Sequence, residues 1–179
     1  MMSKKKKIII GAVAVIMLSL AGLYVYLGGL NTIDISIQNV QGPYRIVGVD
    51  FEGRPTDKRV REYFFDFRER IEKGELKGRL TMVYFRDAET KRNEVKLFMG
   101  VILDEIPAEI PDEFRIMGVE VSEVVEARLE VHNIVMPSPA SIEERMIAFA
   151  QNAGYSHQPI SIEIYSPDNS VRVHIPVGR

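Results

Sequence analysis

Residues 160–177 read ISIEIYSPDNSVRVHIPV, and this stretch decides the fold. Ile160, Ile162 and Ile164 alternate with Ser161, Glu163 and Tyr165, the period of two that marks a strand with one buried face. Pro167-Asp168-Asn169 turns the chain, and Val171, Val173, Ile175 and Val177 resume the alternation. The stretch is a β-hairpin. Upstream of it, Ser138-Pro139 offers an N-cap followed by proline at the first helical position, and Gly154 supplies the stop. Between them Ile142, Met146, Phe149 and Ala153 form the expected buried stripe of a helix. Earlier still, 116–121 and 125–134 read as strands, with Val125, Ala127, Leu129 and Val131 on one face.

The first half of the chain repeats this plan. Thr56 is the expected N-cap of a helix with Asp57 in its first turn and Gly74 as its stop, and Val60, Phe64, Phe67 and Ile71 make its apolar stripe. Its phenylalanines are core residues first and pocket residues second. Leu80 to Phe85 and the alternating Val95, Leu97, Met99 and Val101 form a hairpin around the charged tip 86–93. Ahead of the helix, Ile33, Ile35 and Ile37 alternate, and Tyr44 to Phe51 continues an extended pattern. Gln41-Gly42-Pro43 between them predicts a bulge or bend. Residues 105–113, with Pro107 and Pro111, form a connector without a catalytic motif.

Spacing supports a duplication. Gly74 precedes Tyr84 by ten residues and Gly154 precedes Tyr165 by eleven, and each tyrosine opens a Tyr-x-x-Asp segment ending at Asp87 or Asp168. The expected fold is α+β: a duplicated β-α-β-β unit with pseudo-two-fold symmetry, an antiparallel sheet and two covering helices. The halves are 33–103 and 114–179. A groove at their seam is the natural place for a small-molecule pocket.

The N-terminal stretch is of another kind. Lys4 to Lys7 precede an uncharged apolar run from Ile8 to Leu27, and about twenty residues suffice to cross a bilayer core. Tyr24 and Tyr26 suit the far headgroup layer, and the lysines favour the cytoplasmic side. Residues 1–7 then form a cytoplasmic basic segment, 8–27 a transmembrane helix, and 31–179 a domain held outside the cytoplasm at the cell membrane. A cleaved signal peptide is the other reading, with Ser19-Leu20-Ala21 before Gly22 as a passable processing site. The run's length and its continuation past that site favour a retained anchor. With only Leu30 to Thr32 between Gly28-Gly29 and the first strand, the domain is expected close to the bilayer.

Beyond residue 30 the chain carries 19 basic against 25 acidic groups, so it lacks the basic surface that duplex binding needs and no nucleic-acid partner is expected. Absence of cysteine removes disulfides, thiol nucleophiles, thiolate metal sites and lipoprotein attachment. His132, His157 and His174 lie in separate elements without a metal-binding spacing, no serine has a nucleophile-elbow context, and no glycines form a phosphate loop. No metal, cofactor or catalytic residue is expected. A protein partner is unknown from sequence.

Several short segments, in order, resemble the GyrI-like small-molecule-binding domain, which also serves as the effector-binding module of multidrug-responsive transcription regulators. They are Gly42-Pro43-Tyr44, Tyr84 with Asp87, Met99-Gly100-Val101, Glu163-Ile164-Tyr165, Asp168 and Ile175-Pro176-Val177, covering 33–179. The resemblance implies a pseudosymmetric sheet with two helices and an aromatic-lined pocket for apolar, often cationic, organic molecules. The pocket residues it implies here are Tyr44, Phe64, Tyr84, Phe98, Phe149, Glu163, Tyr165 and Arg172. The chain departs from the family at Arg172, where a glutamate commonly stands four residues before the proline, so a less anionic pocket, or one that prefers a neutral or acidic ligand, is expected.

Arg172, His174 and Glu163 each oppose the apolar face of their own strand. A solvated Glu163–Arg172 pair, worth a few tenths of a kcal/mol, or a polar patch inside the groove are the two readings. Non-catalytic ligand binding at the membrane is the expected function. The alternatives are a hydrolase of small electrophiles using Glu163 or Glu94 with Tyr84 and Tyr165, and a structural or protein-interaction module. No DNA-binding segment is seen ahead of the domain; an apolar run stands there instead.

Overall fold

A computed structural model describes residues 4–26, 33–87, 90–91, 93–107, 109–129, 138–167 and 170–179, and for 4–9 and 11–12 the backbone alone. Expectations for Leu27 to Thr32, His132 and Asp168 fall outside the described residues. The elements are α1 (Lys4–Tyr26), β1 (Asp34–Asn39), β2 (Tyr44–Gly53), α2 (Lys58–Glu72), β3 (Gly78–Phe85) and β4 (Val95–Leu103). They continue with β5 (Arg115–Val119), β6 (Glu123–Leu129), α3 (Pro139–Asn152), β7 (Ser156–His157), β8 (Ile160–Tyr165) and β9 (Val171–Gly178). The chain is α+β, with three helices and one large antiparallel sheet among the described residues.

The sheet runs β1-β6-β9-β8-β3-β4-β2-β5, with β7 joined to β9. Its centre is the β3·β8 ladder, where Met82 stands opposite Glu163. Outward from that pair the order is β4-β2-β5 on one side and β9-β6-β1 on the other, a palindrome of two equivalent halves. Only the outermost strands are exchanged: β1 of the first half pairs β6, and β5 of the second half pairs β2. Gly42-Pro43 is the bend of the two readings, and it joins strands on opposite sides of the sheet, with Gly42 at φ +70°.

Both helix boundaries follow from local chemistry. Asp57, not Thr56, is the N-cap of α2, its carboxylate accepting from Arg59 N at 2.9 Å, and Gly74 past the end takes φ +74°. Ser138 caps α3 through Ser141 N, Pro139 opens the helix, and Gly154 at φ +80° follows it. In α3 the buried stripe is Ile142, Met146 and Ala150; Phe149 is 39% exposed. Steps of four kept the seam on Ala150 because the small side chain lets the helix lie close on the sheet.

The strands' alternation divides the core. On one face α2 lays Phe67, Val60, Phe64 and Ile71 over Leu80, Met82, Leu97, Met99 and Val101. On the same face α3 packs against Val125, Ala127, Val173 and Ile175. The other face carries Ile46, Val83, Phe98, Ile102, Ile162 and Ile164. Here the sheet curls on itself. Tyr44 of β2 and His174 of β9 lie four strand spacings apart, about 19 Å in a flat sheet. Their ring centroids are nevertheless 6.1 Å apart.

The curl is permitted by Gly48 and Gly100, directly opposed in the β2·β4 ladder. A Cβ at Gly48 would run into the Met99 carbonyl, and one at Gly100 into the Val47 carbonyl. Backbone blocks both positions, so neither can yield cheaply.

The helix α1 takes up most of the N-terminal apolar run, and its Val13, Val15, Ile16, Met17, Leu18, Leu20 and Leu23 are all exposed. Among the described residues no helix is long and apolar enough to cross a membrane. The expected transmembrane helix is thus not shown by the structure.

Gly100→Ala should destabilise the fold by about 1–3 kcal/mol or more, as overpacking against backbone does. Gly118→Ala, whose new Cβ meets open space on the edge strand β5, should stay within about 0.5 kcal/mol. Urea denaturation of the two variants checks the contrast; equal losses would refute the close approach of β2 and β4.

Candidate functional site

Between the two helices, the central strands present a half-buried carboxylate, Glu163. Its place follows from pairing parity. Glu163 faces Met82 on one side and Val173 on the other, so it shares the face of Leu80, Val171 and Val173, which the helices cover. Tyr84 and Tyr165 are 81 positions apart, the same offset that separates Met82 from Glu163. The pseudo-two-fold axis therefore passes through the Met82–Glu163 pair, and the two tyrosines are its equivalents in the two halves.

Their hydroxyls converge on the pair. Tyr165 Oη donates to Glu163 Oε2 at 2.5 Å and lies 3.7 Å from Met82 Sδ. Tyr84 Oη reaches Met82 Sδ at 3.3 Å and is the second hydroxyl that bonds Glu163. Burial pushes the Glu163 carboxyl above the usual carboxylate range, against the lowering effect of the two tyrosine hydrogen bonds. Burial, reinforced by the Glu163 charge, raises both tyrosines well above the ordinary phenol value, so they remain donors. The result is one polarisable thioether, one carboxylate and two phenols in an apolar setting.

Beside this cluster is a cavity of about 480 Å³, walled by Phe64, Arg68, Ile71 and Glu72 of α2, by Gly78 to Leu80 of β3, and by Tyr165, Ser166, Pro167 and Val171. Glu163 is not in its wall. Tyr165 is the residue common to both: its ring borders the cavity and meets Phe64 edge-on at 5.2 Å, while its hydroxyl holds Glu163.

Of the residues singled out from sequence, Phe64, Tyr84, Glu163 and Tyr165 come together here. Phe149 projects from α3 toward solvent. Tyr44, Phe98 and Arg172 do not share the cleft, because each falls on the opposite face of the sheet. The expected Glu163–Arg172 pair is corrected for the same reason: Arg172 pairs with Ile164, and Glu163 with Val173. Glu94 lies in the hairpin tip, paired with Lys91 at 3.5 Å. Sequence reasoning missed Met82, although the 81-residue offset of the two tyrosines pointed to it.

It also missed a buried polar chain on the opposite face. Tyr44 Oη and His174 Nδ1 are 2.9 Å apart, His174 Nε2 is 2.8 Å from Glu126 Oε2, and Arg128 Nε donates to Glu126 Oε1 at 2.7 Å. Burial holds His174 below its usual value, with Glu126 opposing and the charges of Arg172 and Arg79 adding to the effect. Among the described residues no group of three or more His, Asp or Glu is placed to hold a metal ion.

Comparison with solved structures places this architecture among known folds. The C-terminal domain of EcmrR superposes with a TM-score of 0.61 at 10% identity, over 82% of this chain and 98% of that one. EcmrR in its complex with DNA gives 0.60 at 11% identity, over 98% of this chain and 70% of that one. A hydrolase from Listeria innocua gives 0.54 at 12% identity, over 81% and 92%. At such identities the likeness is one of fold. No protein-family model and no curated protein matches the sequence.

Linkage at Glu163 has a definite sign. Its carboxyl is raised in the folded chain, so folding favours the protonated form and the ionised form counts against stability. Glu163→Gln should therefore be the more stable protein above the ordinary glutamate value of 4.5, with the advantage shrinking as pH falls through and below the raised value. Urea midpoints of both proteins between about pH 4 and 8 test this; a native chain that gains on the variant as pH rises would refute it.

Proposed function

We propose that the chain binds a small, largely apolar organic molecule, preferably a cation, in the cleft between the helices. The observation that carries this is a half-buried carboxylate held by two tyrosine hydroxyls beside an aromatic-walled cavity of about 480 Å³. Water screens little inside such a site, so an ionised Glu163 gains from a cationic ligand that replaces its lost hydration. Faces of Phe64 and Tyr165 add cation–π attraction of about 0.5–2 kcal/mol. A cavity of this size suits a drug-like molecule. Tyr165, between cavity and carboxylate, is the side chain whose rotation joins them. Ligand binding without turnover is the favoured reading.

The test compares a tetraarylphosphonium cation with an uncharged tetraaryl compound of the same shape. The cation should bind more tightly by about tenfold or more, which is the scale of one desolvated cation–π contact. Glu163→Gln should cut the preference to the part that the aromatic rings supply, and Tyr165→Ala should weaken both compounds. Thermal shift and fluorescence titration read the outcome. Equal binding of both compounds to both proteins would reject an anionic pocket; no binding of either would reject the ligand reading.

We propose further that residues 8–27 tether this domain to the cell membrane with its body outside the cytoplasm. Support comes from the uncharged run, from α1 over Lys4–Tyr26 with apolar side chains exposed on every side, and from the four lysines ahead of it. A surface helix packed on a core would show one polar face. The full chain should stay in the membrane fraction after alkaline wash, and Ile16→Lys with Leu18→Lys should release it. A full chain recovered in the supernatant would overturn the tether. The acidic balance beyond residue 30 supports a reading without nucleic acid.

A further inference from the structure

The face of the sheet opposite the helices carries a second charged feature. Arg172 of β9 stands directly across from Arg128 of β6, a like-charge pair that opposes stability. Arg128 is relieved by Glu126, and the other carboxylate oxygen of Glu126 is taken by His174. Arg172 is left half-buried with no acidic partner among the described residues, and so is Arg79 of β3.

The two are neighbours. Ile164 lies between Arg172 and Thr81 in the ladders, and Arg79 is one same-face step along β3 from Thr81. Two strand spacings of about 4.8 Å and one two-residue step of about 6.8 Å put their Cα atoms about 12 Å apart in a flat sheet. The curl that brings Tyr44 onto His174 is toward this face, so the side chains converge rather than splay. Both guanidinium charges are felt by Tyr44 and His174 together. Two planar forks with unused donors, on a rigid sheet and beside a buried hydroxyl–imidazole pair, match the geometry of an oxyanion.

We propose that Arg79 and Arg172 form a binding site for a small oxyanion, a carboxylate or phosphate group, on the face of the sheet opposite the helices, with Arg79 also bordering the cavity. The anion relieves the Arg128–Arg172 repulsion and supplies the acidic partner that Arg79 and Arg172 lack among the described residues.

Inorganic phosphate is the probe, titrated into the full chain in non-ionic detergent against chloride at constant ionic strength. Two signals are read: melting temperature and the titration of the His174 ring by NMR. Phosphate should raise the melting temperature saturably and move the His174 pKa upward, because a bound anion offsets the two arginine charges that depress it. Arg172→Gln and Arg79→Gln should each weaken phosphate by at least about tenfold, the scale of a charge-assisted hydrogen bond. Arg172→Lys, which keeps the charge without the fork, should fall between. Glu163→Gln should respond as the native chain does. A stabilisation that does not saturate, or one that saturates equally in Arg79→Gln and Arg172→Lys with His174 unmoved, overturns the proposal.

Discussion

Antiparallel pairing of β3 with β8 joins the two halves through a ladder in which Met82 stands opposite Glu163, and the rest of the sheet is arranged outward from it. Pseudosymmetry would place the same residue on both sides of the axis. Two carboxylates there would repel at close range, and one would hold its proton far into the neutral range. A thioether in one half leaves a single titratable group, with both tyrosines free to serve it. The asymmetry of one residue pair thus leaves the structural seam with a single carboxylate.

Because side chains alternate along a strand, adjacent residues of β9 belong to different environments. Val171 and Val173 lie under the helices, and Val173 borders Glu163. Arg172 and His174 face the curled side, where Tyr44 closes on the imidazole. An apolar layer of Val83, Phe98, Ile162 and Ile164 backs the central strands on that side. The sheet therefore separates two polar groups of opposite sign with a backbone layer between them.

Much of this was legible in the sequence, for reasons that differ by element. Alternation and capping marked the strands and both helices, since they depend on neighbours in the chain: Ser138-Pro139, Gly74 and Gly154 act where they were read. Tyr84 and Tyr165 could be singled out because the repeat set them at matched positions, and Glu163 because it is a charge between alternating isoleucines. What could not be read depends on pairing between distant strands. Gly42-Pro43 was legible as a bulge or bend, but nothing local says that β1 belongs to β6. The partner of Glu163 was misread because polar residues of adjacent strands were assumed to share a face, whereas the ladder pairs Tyr165 with Val171 and so sets odd positions against odd. Tyr44–His174 needed the curl, which local pattern does not encode.

The exchange of β1 and β5 between halves also bears on how the chain reaches its fold. Asp34 must find Arg128, and Tyr44 must find Val119, so neither half can complete its own sheet. Contacts of such sequence separation demand loop closure before they return any stabilisation, which makes for slow folding. During synthesis β1 emerges long before β6 and has no partner until most of the chain exists. An unpaired strand of alternating isoleucines is an aggregation hazard over that interval, and Asp34 at its start is a charge of the kind that blunts such an edge.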